Sequence, residues 1–302
     1  MVHIIRPAWR RAQRAIPFHR SYPLLAGLVL LLRSSPAYAT PSIQFCGQNI
    51  AKSAKALRCE SPDLVDLSPL LQLNKVEMLY LNGTSVVDLS AISHLPIHTL
   101  ILDDTPVSDL SPLAGMRKLR MLSLEKTSIS DIGPLEKLVN LEALFIKRTQ
   151  VASLAPLRNL NKLQALYADQ TQVDSLAPIA GLRKLRFLGM HGTKIDNLDA
   201  LRSLRAIEFL SLGSTQISSL QPIEKLGRLK RLYISATKIT SLAPVAKLRS
   251  LWRISIRSTG IVDLSPLHKL PKLRQVFSQH CSASDQEITL LKRRNKKISV
   301  RQ

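Results

Sequence analysis

Leucine and isoleucine recur along most of the chain with a period of 22 residues. Aligned on a threonine that returns with them, each unit reads L-x-x-L-x-L-x-x-T-x-I-x-x-L-x-P-L-x-x-L-x-x. Successive threonines stand 22 apart except for a first interval of 21, and they are Thr84, Thr105, Thr127, Thr149, Thr171, Thr193, Thr215, Thr237 and Thr259. A short fixed period predicts a solenoid, because a single unit cannot bury its own leucines whereas a stack of units can.

Two spacings within the unit predict its local structure. The L-x-L segment alternates with period two, which places both leucines on one face of a short strand. The following apolar residues are three apart, which favours 3₁₀ turns. A proline suits the first position of such a turn, and seven units carry one: Pro112, Pro134, Pro156, Pro178, Pro222, Pro244 and Pro266. We therefore expect parallel strands on one side, turns on the other, and a buried, purely structural ladder of threonine hydroxyls.

This pattern resembles the leucine-rich repeat family, specifically the short bacterial repeats of internalins. The resemblance covers residues 54–281. It departs at the ladder position, where the family carries Asn or Cys and this chain carries Thr. It implies an α/β-type solenoid: a right-handed horseshoe or arc with a parallel sheet on the concave side, 3₁₀ turns on the convex side, and helical caps at both ends.

The repeat array needs a cap at each end, since an open end would expose leucines. Residues 40–75 are predicted to hold the N-terminal cap, with a short helix over 47–56 and a degenerate first unit from Ala54. Nine full units and a partial tenth fill residues 76–281. In residues 282–302, Ser284 and Glu287 have the spacing of a capping box, which predicts a helix followed by a final strand over 298–300.

Residues 1–39 have the composition of an export signal. Several arginines precede the apolar run from Leu24 to Leu32, and Ala37-Tyr38-Ala39 ends the segment. A basic leader, a short apolar core and an A-x-A end are typical of a secretory signal peptide. A retained membrane anchor is the alternative, although nine apolar residues are far fewer than the ~20 that span a bilayer. We expect an exported protein, periplasmic or extracellular.

The cysteines are too few for a disulfide-dense scaffold, since the chain has three. Cys46 and Cys59 both fall in the N-terminal cap, and in an exported protein they are expected to form a disulfide. Two buried thiols are the alternative. Cys281 stands 22 residues after Thr259 and is expected to be a buried structural thiol at the ladder position.

Charge narrows the possible partners. The formal charge is +22, from 43 Lys and Arg against 21 Asp and Glu, and it remains +16 without the six arginines of residues 1–39. This excess excludes an acidic solvating protein and predicts attraction to anionic surfaces. A hydrophobic content of 45% excludes a wholly disordered chain. No spacing of titratable or nucleophilic residues suggests a catalytic or metal site, so we expect no enzymatic activity and no cofactor.

The strand positions between the leucines carry most of the aromatic residues, and because leucine and isoleucine fill the core, we expect these rings to be exposed on the concave face. Exposed aromatics favour protein binding, although β-propensity alone is an alternative explanation. Arginines join them towards the C-terminus. The candidate binding residues are Tyr80, Phe145, Tyr167, Phe187, Phe209, Arg231, Tyr233, Trp252, Arg253, Arg257 and Phe277.

The sequence thus predicts an exported, monomeric, non-enzymatic module that binds a protein partner, such as a host protein, on this face. The arginines and aromatics together suit an acidic protein or a carboxylated glycan. The alternative is electrostatic adhesion of the basic surface to anionic lipid, lipopolysaccharide, glycan or nucleic acid.

Overall fold

The computed structural model describes residues 41–294 and 297–301. The predicted signal peptide lies outside the described residues. An antiparallel hairpin pairs β1 (Ser42–Phe45) with β2 (Gln48–Ala51). A parallel sheet then runs through twelve strands in chain order. These strands are β3 (Ala56–Arg58), β4 (Met78–Tyr80), β5 (Thr99–Ile101), β6 (Met121–Ser123), β7 (Ala143–Phe145), β8 (Ala165–Tyr167), β9 (Phe187–Gly189), β10 (Phe209–Ser211), β11 (Arg231–Tyr233), β12 (Arg253–Ser255), β13 (Gln275–Phe277) and β14 (Ser299–Arg301).

The repeat spacing fixes the register of this sheet. Each central strand residue faces its counterpart in the next unit, as Leu188, Leu210 and Leu232 do. These residues are fully buried, while the residues before and after them point to the opposite, concave side. The predicted solenoid with a parallel sheet is therefore confirmed.

Short 3₁₀ turns lie opposite the sheet, as predicted. They are Ser68–Gln72, Ser90–Ile92, Ser111–Leu113, Gly133–Leu135, Ala155–Leu157, Ala177–Ile179, Asp199–Ser203, Gln221–Ile223 and Ala243–Lys247, and the α-helix Ser265–His268 occupies the same place in the next coil. A polar side chain two residues before each of these turns accepts a backbone N–H bond: the Asp88 carboxylate accepts from the Ser90 amide at 2.8 Å and the Ser153 hydroxyl from the Ala155 amide at 3.2 Å. This local bond helps to start each turn.

The threonine ladder is confirmed. Each of the nine threonine hydroxyls donates a hydrogen bond to the carbonyl three residues earlier, at 2.6–2.8 Å. The residue before each threonine has a positive φ, from Gly83 at 73° to Ser258 at 52°. This left-handed residue turns the chain out of the strand, and the hydroxyl satisfies a carbonyl that the turn leaves without a strand partner.

The N-terminal cap differs from the prediction. The helix expected over 47–56 is wrong, because residues 42–51 form the β1–β2 hairpin. Cys46 and Gly47 have φ of 52° and 71°, which is the backbone of a tight two-residue hairpin turn. Ile43 and Phe45 alternate on the buried face of β1, which packs against the first 3₁₀ turn. The β1 strand therefore covers the apolar edge of the first coil with its buried side chains.

The predicted disulfide between Cys46 and Cys59 is confirmed, with a Cα–Cα distance of 5.9 Å, within the usual range for disulfides. It ties the hairpin turn to the first coil, whose strand β3 begins the parallel sheet. A disulfide is typical of proteins from oxidising compartments.

At the other end, the helix Asp285–Arg294 follows the last coil, and β14 extends the sheet beside β13. The Glu287 amide donates to the Ser284 hydroxyl at 3.2 Å, which is one half of the predicted capping box. The Glu287 carboxylate instead accepts from the Leu264 amide at 3.1 Å and so fastens the helix to the repeats. The expected burial of Cys281 is only partial, because its side chain is half-buried where it packs against the core.

Candidate binding face

Two columns of side chains cover the concave face, because the first and third residues of each strand point there. The first column is Met78, Thr99, Met121, Ala143, Ala165, Phe187, Phe209, Arg231, Arg253 and Gln275, and the third-residue column is Tyr80, Ile101, Ser123, Phe145, Tyr167, Gly189, Ser211, Tyr233, Ser255 and Phe277. Trp252 directly precedes β12 and Arg257 follows it. The sheet therefore carries all eleven predicted binding residues, at or next to its strands.

Four of the predicted aromatics form a continuous row. Phe145 stacks on Tyr167 with ring centroids 5.4 Å apart, Tyr167 lies 5.8 Å from Phe209, and Phe209 lies 5.6 Å from Tyr233. Tyr80 lies apart from this row in β4, where its hydroxyl contacts the Met78 sulfur at 3.9 Å. The structure thus brings Phe145, Tyr167, Phe209 and Tyr233 together and leaves Tyr80 outside.

The expected exposure of the aromatics is wrong for three of them. Phe145, Tyr167 and Phe187 are only 6%, 7% and 3% exposed. Neighbouring rings cover one another at the strand spacing, and the Arg186 guanidinium lies 5.4 Å from the centre of the Phe187 ring. A partner can still reach the half-buried rings of Phe209, Tyr233, Trp252 and Phe277.

Gly189 is a residue that sequence reasoning missed. A Cβ at this position would lie 2.7 Å from Cδ1 of Tyr167 and 2.7 Å from Oδ2 of Asp169. No other strand from β4 to β13 has glycine as its third residue. The missing side chain makes the space in which the Tyr167 ring and the Asp169 carboxylate pack.

One lysine lies between carboxylates in the middle of the face. The Lys147 ammonium lies 3.3 Å from the Glu125 carboxylate, 4.0 Å from that of Asp169, and 4.7 Å from the centre of the Tyr167 ring. Asp103, Glu125, Lys147 and Asp169, on the coils of β5–β8, are called the paired half below. Opposite charges here meet within the protein itself.

Burial changes the acidity of this half. The Ser123 hydroxyl and the Glu125 amide both donate to Asp103, and the His191 amide donates to Asp169 at 2.9 Å. Removal from water nevertheless outweighs these bonds and raises the pKa of the Asp103, Glu125 and Asp169 carboxyls above their ordinary values. The paired half consequently holds its protons more tightly than exposed acids do.

Arginines lie against rings in the C-terminal part of the face. The Arg231 guanidinium lies 4.9 Å from the Phe209 ring centre, Arg253 lies 4.7 Å from Trp252, and Arg257 lies 4.9 Å from Phe277. The residues Arg231, Tyr233, Trp252, Arg253, Arg257 and Phe277 are called the basic half below. Stacking on rings holds planar guanidinium groups in fixed orientations.

The basic half lacks counter-charges of its own. From Lys225 to Gln302 the chain has 18 Lys and Arg but three Asp and Glu. No ion pair reaches Arg231, Arg253 or Arg257 from the described residues. The Arg253 Nη1 donates to the Tyr233 hydroxyl at 3.3 Å, while its Nε is buried without a hydrogen-bond partner. These cations are free to meet an external anion.

The described part of the chain contains neither a candidate metal site nor a candidate membrane span. Residues 41–294 and 297–301 contain no group of three His, Cys, Asp or Glu placed to hold a metal ion. Among the same residues, no helix is both long and apolar enough to cross a bilayer.

The repeat, the sheet and the threonine turns define a leucine-rich repeat solenoid, and comparison with solved structures shows the same fold. No protein-family model matches the sequence, and a search of curated proteins finds no significant match. An internalin (inlF) from Listeria monocytogenes is similar at 24% identity and a TM-score of 0.75, covering 84% of this chain and 83% of that one. A leucine-rich repeat protein of Leptospira interrogans has 17% identity and a TM-score of 0.64, covering 87% and 82%.

A further similar structure comes from an octameric complex of Latrophilin 3, Unc5D and FLRT2, the last marked as its leucine-rich repeat component. It has 21% identity and a TM-score of 0.67, and the match covers 83% of this chain and 84% of that one. At these identities the likeness shows that the chain has an internalin-like leucine-rich repeat fold.

Proposed function

We propose that this protein is an exported, non-enzymatic recognition module that binds a protein partner on its concave face through the basic half. The observation that carries the proposal is the set of guanidinium groups held against Phe209, Trp252 and Phe277 at 4.7–4.9 Å without carboxylate partners among the described residues. Arginine and aromatic side chains are the residue types enriched where proteins bind tightly.

The scaffold supports this role because it is rigid. Parallel strands in fixed register hold the side chains of the face, so little conformational entropy is lost when a partner binds. Phe145, Tyr167 and Phe187 are buried and are assigned to shaping the face, while the more accessible Phe209, Tyr233, Trp252 and Phe277 make contact. One structure with this fold is a complex between several proteins, which is consistent with partner binding.

Replacing Tyr233, Arg253 and Arg257 together by alanine tests the proposal. The purified protein is immobilised, and the proteins it captures from candidate cell surfaces are identified by mass spectrometry. The triple variant is expected to lose at least nine-tenths of the captured partner. It removes the Tyr233 ring, the hydrogen bond between Tyr233 and Arg253, and the two guanidinium groups, all from one part of the face. Its melting temperature should change by no more than a few degrees, since none of the three side chains lies in the core.

The matched control replaces Arg183 and Arg249 by alanine. These two arginines are exposed and away from the concave face, so the control removes the same number of positive charges as the triple variant. This control is expected to capture the partner as the unaltered protein does. Equal capture by the triple variant would contradict the proposed surface, and equal loss in both variants would show attraction by net charge alone.

Electrostatic adhesion is the second candidate function, and the excess of 18 cations over three acids from Lys225 onward favours it. In that case the protein binds vesicles of anionic lipid or lipopolysaccharide in both variants alike. Binding to phosphates weakens steeply with salt, by about 10³ or more between 50 and 200 mM for six or more contacts. An interface with ring contacts weakens much less, so vesicle sedimentation at the two salt concentrations separates the candidates.

A further inference from the structure

Three arginines surround one ring at the C-terminal end of the face. The guanidinium carbons of Arg253, Arg257 and Arg301 lie 5.7, 4.9 and 5.5 Å from the centre of the Phe277 ring. Arg253 and Arg257 belong to the coil of β12, Phe277 to β13 and Arg301 to β14. The ring thus stands between cations that approach it from both neighbouring strands.

Like charges held this close repel one another, and the repulsion is strongest where water is partly excluded. Arg257 is bonded to the neutral Gln279 amide, and Arg253 to the neutral Tyr233 hydroxyl. Neither bond offsets positive charge. A binding surface that holds cations together, with no anion beside them among the residues that the structure describes, is stabilised when an anionic ligand binds.

The residue type indicates which anion fits. All the cations that lie against these rings are arginines. The guanidinium fork matches two carboxylate oxygens, and stacking on a ring fixes its plane. Arg231 and Arg253 are register neighbours, and Arg301 is two strands beyond Arg253.

The span of the cations sets the length of the ligand. From Arg231 in β11 to Arg301 in β14 there are three strand spacings of ~4.8 Å, so the cations span about 14 Å across the strands, with Arg301 two residues further along its strand than Arg231 and Arg253. An extended peptide advances ~3.3 Å per residue, and about five residues cover that distance. Carboxylates at alternate positions of such a segment all point to one side and can reach successive arginines.

We propose that Arg253, Arg257 and Arg301 around Phe277, continued by Arg231, form a carboxylate-binding subsite for an extended acidic segment of the protein partner. The assignment rests on the proposed function, which it deepens by naming the chemistry of the partner. Arg253 and Arg257 are its central residues, because each contacts the Phe277 ring and each is held by a neutral hydrogen-bond partner.

The test uses a fluorescein-labelled peptide of five Glu-Gly repeats and measures its binding to the purified protein by fluorescence anisotropy. The acidic peptide is expected to bind, and the Gln-Gly analogue is not. Arg253→Lys and Arg257→Lys each keep the charge but lose the planar fork, so each is expected to weaken binding at least tenfold. The matched control, Arg249→Lys on the exposed convex side, is expected to leave binding unchanged.

Equal binding by the Arg253→Lys, Arg257→Lys and Arg249→Lys variants would overturn the subsite, because diffuse charge alone then suffices. Tighter binding of polyphosphate or of a single-stranded oligonucleotide, lost in the same two variants, would overturn its assignment to carboxylates. Circular dichroism of each variant verifies that the fold is intact.

The two proposals fail in different ways. A protein partner captured by the unaltered chain and lost in the Tyr233, Arg253 and Arg257 triple variant, without binding of the Glu-Gly peptide, supports the proposed function and contradicts the subsite. Peptide binding that depends on Arg253, without capture of any protein partner, supports the subsite and contradicts the proposed function.

Discussion

The paired half and the basic half of the concave face are built on the same repeat but use charge in opposite ways. In the paired half, Lys147 lies within 4.0 Å of two carboxylates. In the basic half, Arg231, Arg253 and Arg257 lie on rings and have no carboxylate partner among the described residues. Both halves share parallel strands in register and a leucine core.

The difference teaches where recognition resides in such a solenoid. The inward positions are set by packing and differ little from coil to coil, whereas the concave positions can change without altering the fold. Charges that satisfy one another contribute to local structure, while charges that lack partners are available to a ligand. The same sheet therefore serves as support in one region and as a binding surface in the other.

The largest expected effect tests whether the two halves really share one core. Leu122 lies in β6, among the coils of the paired half, and Leu232 lies in β11, among those of the basic half; both are 0% exposed. Alanine at either position is expected to lower the free energy of unfolding by about 3 kcal/mol, because each substitution leaves a comparable cavity. Urea unfolding followed by circular dichroism measures the change.

Leu290→Ala is the control for these core substitutions, because that leucine is 39% exposed on the C-terminal helix, and its effect should be well below half as large. Costs at Leu122 and Leu232 that differ by more than about 2.3 kcal/mol, the range found for Leu→Ala substitutions within one protein core, would contradict the claim of a common scaffold.

Removing one positive charge should have a smaller effect on the free energy of unfolding, and this effect should differ between the two halves. Lys147→Met leaves Glu125 and Asp169 without their cation, and we expect a loss of about 2 kcal/mol, below the 3–5 of a fully buried pair, because Lys147 keeps 25% of its side chain exposed. Arg253→Met removes a cation that no carboxylate balances, and we expect a change of about 0.5 kcal/mol or less.

The two methionine variants are matched in side-chain type and in the single charge removed, and chemical denaturation compares them directly. An Arg253→Met variant as destabilised as Lys147→Met would show that the charges of the basic half stabilise the fold as those of the paired half do.

The smallest effect is a pH dependence that arises from a buried carboxyl of the paired half. Burial raises the pKa of Asp103 above its ordinary 3.8, so the folded chain binds this proton more tightly than the unfolded chain. The stability that the group contributes is full below pH 3.8 and is lost as the pH rises through the folded value. Asp103→Asn does not titrate, so its stability relative to the unaltered protein should increase from pH 3.5 to 7.

Asp104→Asn is the control, since this neighbouring carboxylate is exposed and paired with Lys126 at 2.9 Å. Unfolding measured over the same pH range gives both curves. A stability of Asp103→Asn relative to the unaltered protein that stays constant or falls as the pH rises would contradict the effect of burial on Asp103.

Much of the fold follows from the repeat itself. The period of 22 predicted the parallel strands, the 3₁₀ turns and the threonine ladder, because each depends on contacts between neighbouring equivalent positions. The hairpin that replaces the predicted N-terminal helix depends instead on covering the apolar edge of one particular coil. Cys46 and Gly47, the two left-handed residues of its turn, are the local signal that could have indicated the hairpin.

The candidate face was predictable in its membership and not in its exposure. Alternation along each strand places Phe145, Tyr167 and Tyr233 on the same side, since successive side chains point to opposite faces. Their burial depends on neighbours 22 residues away: Phe145 and Tyr167 cover each other, and Gly189 leaves the space that Tyr167 fills.

The sequence by itself determined the solenoid, its register and the residues that face outward, because a repeat interacts mainly with copies of itself. Only the tertiary structure decided which charges are paired within the chain and which remain for a partner. Side chains from coils one or two repeats apart meet at distances that depend on rotamers and on the space left by small residues, and no spacing in the sequence encodes those distances.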